Sequence, residues 1–159
     1  MKKLLMLAAL AFSIPAFSAC SPSESYYRDQ YVQQQMESYV YHTDFNYVWT
    51  EARALLFQYG YQVRGDASTT IIETEWARTS TGLRRYMVAG YVMEDGSSTV
   101  HFDYYEETDN GPDVQPYTTT GRDYRLEYEL VRRVESSKYA EIENSASSYA
   151  KQKVAESKK

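Results

Sequence analysis

The chain has 159 residues, a formal net charge of −5, 43% hydrophobic and 25% charged residues, and a single cysteine. That length carries one compact domain rather than a two-domain enzyme, and the modest acidic excess excludes the basic footprint of a nucleic-acid binder. One cysteine excludes an internal disulfide, two histidines are too few for a dedicated zinc site, and no Gly-rich phosphate loop occurs, so no metal and no cofactor is expected. Tyrosine is over-used, with 17 residues against 5 phenylalanines and 2 tryptophans.

The first nineteen residues read as a secretory signal peptide. Lys2 and Lys3 form a basic start, Leu4 to Phe17 is apolar apart from Ser13 and Pro15, and the small residues Ser18 and Ala19 precede Cys20. The apolar run is shorter than the ~20 residues of a membrane span. The segment Phe17-Ser18-Ala19-Cys20 resembles the lipobox of bacterial lipoproteins, with Phe17 where Leu, Val or Ile is usual. The resemblance implies that Cys20 is diacylated on sulfur and becomes the first residue of the mature chain, and several acyl chains anchor a protein stably to a bilayer. Ser21, rather than Asp, follows it, which in Gram-negative lipoproteins implies export to the outer membrane. Without residues 1–19 the chain keeps 15 basic and 22 acidic residues, a net −7.

Residues 20–42, from the acylated cysteine through a Ser-, Gln- and Tyr-rich stretch, are expected to be a flexible tether. A weak helical pattern of Tyr27, Tyr31, Met36 and Tyr39 can dock transiently. A domain over residues 43–150 opens with a helix. Thr43 or Asp44 caps it, and Val48, Ala52, Leu55, Leu56 and Tyr59 make one apolar face. Gly60 takes the left-handed position that ends it, with Tyr61 set to contact Leu56 in a Schellman motif.

Strands follow. Tyr61 and Val63 alternate with polar residues, and then Thr70, Ile72, Thr74 and Trp76 share one face opposite Glu73 and Glu75. Arg84–Met93 and Ser98–Tyr105 form a hairpin around Asp95-Gly96. A two-residue loop there pairs Met93 with Ser98, Tyr91 with Val100, Ala89 with Phe102 and Met87 with Tyr104, giving one apolar face. A turn-rich loop is expected over Thr108 to Gly121, then one long helix from about Asp123 to Val154, using Leu126, Leu130, Val131, Val134, Ile142, Ala146 and Tyr149 inward. Residues 151–159, with four lysines and one glutamate, form a solvated tail. The order predicts an α+β fold: a four-stranded antiparallel sheet packed against an N-terminal helix and a long C-terminal helix.

The segment Tyr47-Val48-Trp49, Leu55-Leu56, Gly60-Tyr61, Asp66 and Ile71-Ile72-Glu73-Thr74-Glu75-Trp76, with the later Arg85-Tyr86-Met87-Val88, resembles the repeat domain of BamC, a lipoprotein accessory of the outer-membrane β-barrel assembly machinery. The resemblance covers roughly residues 43–135. It implies a helix-grip fold, a curved sheet holding a long helix, and a non-catalytic, protein-binding role in the envelope. BamC has two such domains and a long N-terminal segment, whereas this chain has one domain and a short linker.

The candidate binding surface is aromatic. Tyr86 and Tyr105 are expected on the outer hairpin face and Tyr117 beside them, fit for a protein partner or a glycan. Trp49, at the flank of the apolar helix face, either packs or joins that surface, and Trp76 closes the core edge. His101 and Asp103, two apart on one strand, could orient a general base, but no Gly-x-Ser-x-Gly elbow and no free nucleophilic cysteine accompany them. The expectation is a non-enzymatic outer-membrane lipoprotein, facing the periplasm, anchored to the membrane through Cys20 and binding another envelope protein. The alternative is a glycan- or small-ligand-binding lipoprotein with an aromatic-lined groove between sheet and helix.

Overall fold

The computed structural model describes residues 22–64, 70–108 and 117–157. Four helices, α1 (Glu24–Glu37), α2 (Phe45–Gln58), α3 (Tyr124–Val134) and α4 (Ser136–Glu156), accompany strands β1 (Ile71–Glu73), β2 (Ala77–Arg78), β3 (Gly82–Val92), β4 (Ser98–Thr108) and β5 (Tyr117–Arg122). The sheet is antiparallel in the order β1-β3-β4-β5, with β2 also on β3 and a bridge from Val63 to Thr74 beyond β1. The fold is α+β, as the pattern of elements requires. Cys20 lies outside the described residues.

The opening of α2 and its end follow the sequence closely. The Asp44 carboxylate accepts the N–H groups of Asn46 and Tyr47. At the other end the Tyr61 N–H reaches the Leu56 carbonyl at 3.0 Å and the Gly60 N–H reaches Phe57, the Schellman pair. Val48, Ala52, Leu55 and Leu56 are all sealed in the core.

The hairpin register differs from expectation by one residue. Gly96 takes φ +82° after a turn closed by its own N–H on the Met93 carbonyl, so the loop has three residues, Glu94-Asp95-Gly96. A type I turn followed by a left-handed glycine is the usual three-residue connection. Val92 therefore pairs with Ser98, Gly90 with Val100, Val88 with Phe102 and Tyr86 with Tyr104. The inward residues of β4 are as expected, but those of β3 are Tyr86, Val88 and Gly90 instead of Met87, Ala89 and Tyr91. Gly90 shows what this register achieves. A Cβ there would lie 2.8 Å from both the Phe45 and the Trp49 rings, which seat α2 against the sheet.

Three further segments depart from the sequence reading. Residues 24–37, expected as tether, form α1, whose Val32 and Met36 enter the core, and Tyr41 beyond it is 1% exposed and bridges to Ser98. The domain thus begins well before residue 43. Within the expected loop, Tyr117–Arg122 pairs with β4 as an edge strand, in keeping with the β-propensity of its run of threonines. The long C-terminal helix breaks at Glu135, which leaves helical geometry at φ −131°, ψ 63°. The Glu135 carboxylate accepts from the Tyr39 hydroxyl at 2.6 Å, the His42 and Thr43 N–H groups and the Thr43 hydroxyl. It holds the chain as it passes from α1 to α2.

α1 and α4 run antiparallel: the Tyr31 and Tyr149 rings lie 5.4 Å apart, and Tyr39 reaches back to Glu135. Both pack on α3. The tie between this helix pair and the sheet is ionic. Glu127, 2% exposed, accepts Nε and Nη2 of Arg122 at 2.7 and 2.8 Å, and Nη2 also donates to the Met36 carbonyl at the end of α1. The chain turns into α3 just after Asp123, whose N–H still bonds the Phe102 carbonyl. The reciprocal acceptor for the Phe102 N–H is Glu127 Oε1 at 3.0 Å. Burial pushes the Glu127 carboxyl above its ordinary value, against the pull of Arg122 and of that N–H.

Removing one partner of a buried pair leaves a charge without compensation. Arg122→Ala is expected to cost about 3–5 kcal/mol in urea unfolding. Arg122→Met combined with Glu127→Leu should cost less than Arg122→Ala, retaining about 1–3 kcal/mol for the unmatched Phe102 N–H.

Candidate functional site

The helices cover one face of the sheet only, because the buried residues of β1, β3 and β4 (Ile72, Tyr86, Val88, Val100 and Phe102) are all of one parity. The other face carries Ile71, Glu73, Arg85, Met87, Tyr91, His101, Asp103 and Tyr105. Its centre is built by a register shift at the β1–β2 junction. Ile72 pairs with Val88, and Thr74 continues that register, bonding Tyr86. Ala77 then pairs with Arg84, one residue out of step. An extra residue in one strand is a β-bulge, and it reverses the side to which the next side chains point.

Thr74 marks the bulge, since its buried hydroxyl, instead of a main-chain carbonyl, accepts the Tyr86 N–H at 2.8 Å. The consequence falls on Trp76. Expected at the core edge in phase with Ile72, it lies on the helix-free side, 37% exposed, against Arg85. Arg85 in turn pairs with Tyr105 across β3 and β4. Its guanidinium carbon is 5.1 Å from the Trp76 ring centre and 5.0 Å from that of Tyr105. An arginine between two rings gains cation–π attraction from both. Arg85 Nε is shielded from solvent without a hydrogen-bond partner, and no carboxylate among the described residues pairs with this guanidinium. The cation is thus held beside two aromatic rings without an acidic partner among the described residues.

The other candidates divide. Tyr105 is on this face as expected. Tyr86 is not. It points inward, 2% exposed, donates its hydroxyl to Asp123 Oδ2 at 2.7 Å, and meets the Tyr61 ring edge-on. Burial, reinforced by that bond to Asp123, pushes its phenol well above the ordinary value. The three-residue hairpin loop is the reason for this correction. Tyr117, 63% exposed, pairs with Thr108 and so has the opposite parity to Tyr105. Trp49 is 7% exposed and stacks on Phe45 over Gly90, so it packs and offers no binding surface. His101 and Asp103 share the helix-free face, and burial, with the nearby Arg122, holds the imidazole below its ordinary value against the pull of Asp103. Among the described residues no group of three or more His, Cys, Asp and Glu side chains is arranged to hold a metal.

A second concavity, of about 530 Å³, lies between α1 and the start of α3 and is lined by Arg28, Val32, Arg122, Tyr124, Tyr128 and Tyr139 among others. Its polar groups are largely committed. Arg28 grips Glu143 with two bonds of 2.9 Å, Tyr128 donates to the same carboxylate at 2.8 Å, and Arg122 is held by Glu127. The interface between sheet and helices is filled by Leu55, Leu126, Leu130, Val88 and Phe102.

Sequence reading missed Arg85 and Trp76 as neighbours because a bulge leaves no mark in a two-residue periodicity. It also missed Glu127, for which a signal exists: an acid inside the apolar stripe of Leu126, Leu130, Val131 and Val134.

No family model, curated protein or solved structure matches the chain. The likeness to BamC therefore rests on its residues alone.

The two tryptophans give a direct readout of the bulge. With Trp49→Phe, the remaining Trp76 should be quenched readily by acrylamide. With Trp76→Phe, the remaining Trp49 should be quenched several-fold less, and equal quenching would place Trp76 in the core instead.

Proposed function

We propose that this chain is a non-enzymatic, outer-membrane lipoprotein whose periplasmic domain binds another envelope protein through the helix-free face of its sheet. The observation that carries the reading is the Trp76–Arg85–Tyr105 cluster: a cation 5.1 and 5.0 Å from two aromatic ring centres, with no carboxylate partner among the described residues. Trp, Tyr and Arg are the residue types that dominate protein-interface energetics, and a prearranged arginine loses little entropy on receiving a partner carboxylate or carbonyl. Ile71, Tyr91 and Met93, exposed at one end of the sheet, extend the surface with apolar area. The address read from Lys2 to Cys20 supplies the compartment, and the resemblance to BamC supports an accessory role in envelope or outer-membrane protein assembly.

The second reading, a glycan- or small-ligand-binding lipoprotein, is favoured by the tyrosine-lined groove between α1 and α3. Rings of this kind stack on sugars, but the arginines and the Tyr128 hydroxyl there are already engaged within the chain. A site built for a polar ligand needs free donors, so the groove is the weaker candidate.

Photo-crosslinking in cells distinguishes the two. A crosslinker at Met87, beside Arg85 on the helix-free face, is expected to give discrete protein adducts. Arg85→Ala should reduce their yield about tenfold or more, as loss of a hot-spot residue does. A crosslinker at Phe57, exposed on α2, should give none. Adducts that survive Arg85→Ala, or binding of soluble peptidoglycan fragments abolished by Tyr124→Ala, would favour the other surface.

A further inference from the structure

The distance from the acylated cysteine to the first fixed residue is short. Ser23 caps α1, its hydroxyl accepting the Tyr26 N–H at 3.2 Å, and only Ser21 and Pro22 stand between it and Cys20. Three peptide steps span at most about 11 Å. α1 itself is fixed to the domain: Met36 is sealed in the core, its carbonyl accepts from Arg122, and Arg28 is clamped to Glu143. An anchor at Cys20 therefore holds the start of α1 at the bilayer.

The antiparallel pairing of α1 with α4 brings a second feature to the same end. With Tyr31 against Tyr149, the last turns of α4 lie beside the first turns of α1. They include Lys151, exposed, and Lys153, whose ammonium is 5.7 Å from the Tyr149 ring centre and also feels Tyr27. Residues 151–159 hold four of the chain's lysines and one glutamate, Glu156, which pairs with Lys153. Glu24 is the carboxylate in the first turn of α1, and Asp29 is paired with Arg28. Among the described residues Lys151 and Lys153 stand against Glu24 and Glu156, and the sequence then adds Lys158 and Lys159, a local excess of two positive charges in a mature chain of net −7. This end is also aromatic, with Tyr26 half exposed and packed edge-on against Tyr27. Tyrosines placed beside lysines are the amphipathic pairing found at the headgroup level of membranes, where anionic lipid attracts each lysine.

We infer that the end of the α1–α4 pair formed by Tyr26, Tyr27, Tyr149, Lys151 and Lys153 lies against the bilayer and recognises anionic phospholipid headgroups. The inference rests on acylation of Cys20. It goes beyond binding of an envelope partner by fixing which end of the domain is occupied by membrane. The lysines draw this end down while the acidic remainder of the domain is repelled from the same surface, so the domain stands upright on its anchor.

The full acylated chain, purified in detergent and reconstituted into vesicles, tests this with a membrane-impermeant amine reagent and mass spectrometry of each lysine. In vesicles containing phosphatidylglycerol, Lys151 and Lys153 should react at least about fivefold more slowly than in detergent. Lys138, exposed at the opposite end of α4, should react equally in both. Vesicles of phosphatidylcholine alone should protect Lys151 and Lys153 less. Equal reactivity of Lys151, Lys153 and Lys138 in anionic vesicles, on a chain whose intact mass carries the acyl groups, overturns the inference and leaves the anchor standing. Equal protection in neutral and anionic vesicles overturns the headgroup recognition. An intact mass with a bare Cys20 overturns the inference and the lipoprotein reading together.

Discussion

The buried pair of Arg122 and Glu127 joins four separate parts of the described chain. Through it the end of β5, the first turn of α3, the Phe102 amide of β4 and the carbonyl at the end of α1 become one unit. The pair occupies the place where a strand ends and a helix starts, and where a main-chain amide in mid-sheet would otherwise lack an acceptor. A carboxylate costs free energy to bury, and four well-placed contacts around the pair offset that cost. The same arginine carries the N-terminal helix into the domain, and so determines whether the segment before α1 is joined to a hinge or to a rigid body.

Glu135 does for the next connection what Glu127 does for this one. By leaving helical geometry it breaks the C-terminal segment into α3 and α4, and its carboxylate gathers the chain between α1 and α2. The four bonds it accepts hold it below its ordinary value even though burial, the largest single influence, acts the other way. The two acids together place α1 and α4 side by side on α3, and the groove lined by Tyr124, Tyr128 and Tyr139 is the space left between α1 and the start of α3.

Much of the fold was legible in residue order. The cap at Asp44, the Schellman end at Gly60, the inward face of β4 and the apolar stripe of α3 all follow from local rules, and local rules are what a sequence displays. The failures share a cause. Asp95-Gly96 serves a two-residue or a three-residue loop, and the choice turns on how closely α2 approaches β3 at Gly90, which is a tertiary matter. The bulge that brings Trp76 over Arg85 is likewise fixed by Thr74 bonding across to Tyr86, so the candidate site was the least legible part of the molecule. Tyr105 alone of the expected aromatics took its place there. α1 was hidden because its apolar residues are few and widely spaced, and it gains its stability from Arg122, Arg28 and the α4 surface rather than from its own pattern.

On the proposed anchor, a domain with a rigid base would present its helix-free sheet face in a constant attitude to the space above the membrane. A domain on a loose tether would not. The difference lies in α1, a 14-residue helix of polar composition that would be marginal in isolation. Hydrogen exchange of the acylated protein in anionic vesicles measures it most directly. The amides of residues 30–37 are expected to exchange at rates comparable with those of α3, and to lose that protection in Arg122→Ala. Exchange of residues 30–37 at the rate of an unstructured chain, while α3 stays protected, would contradict the account.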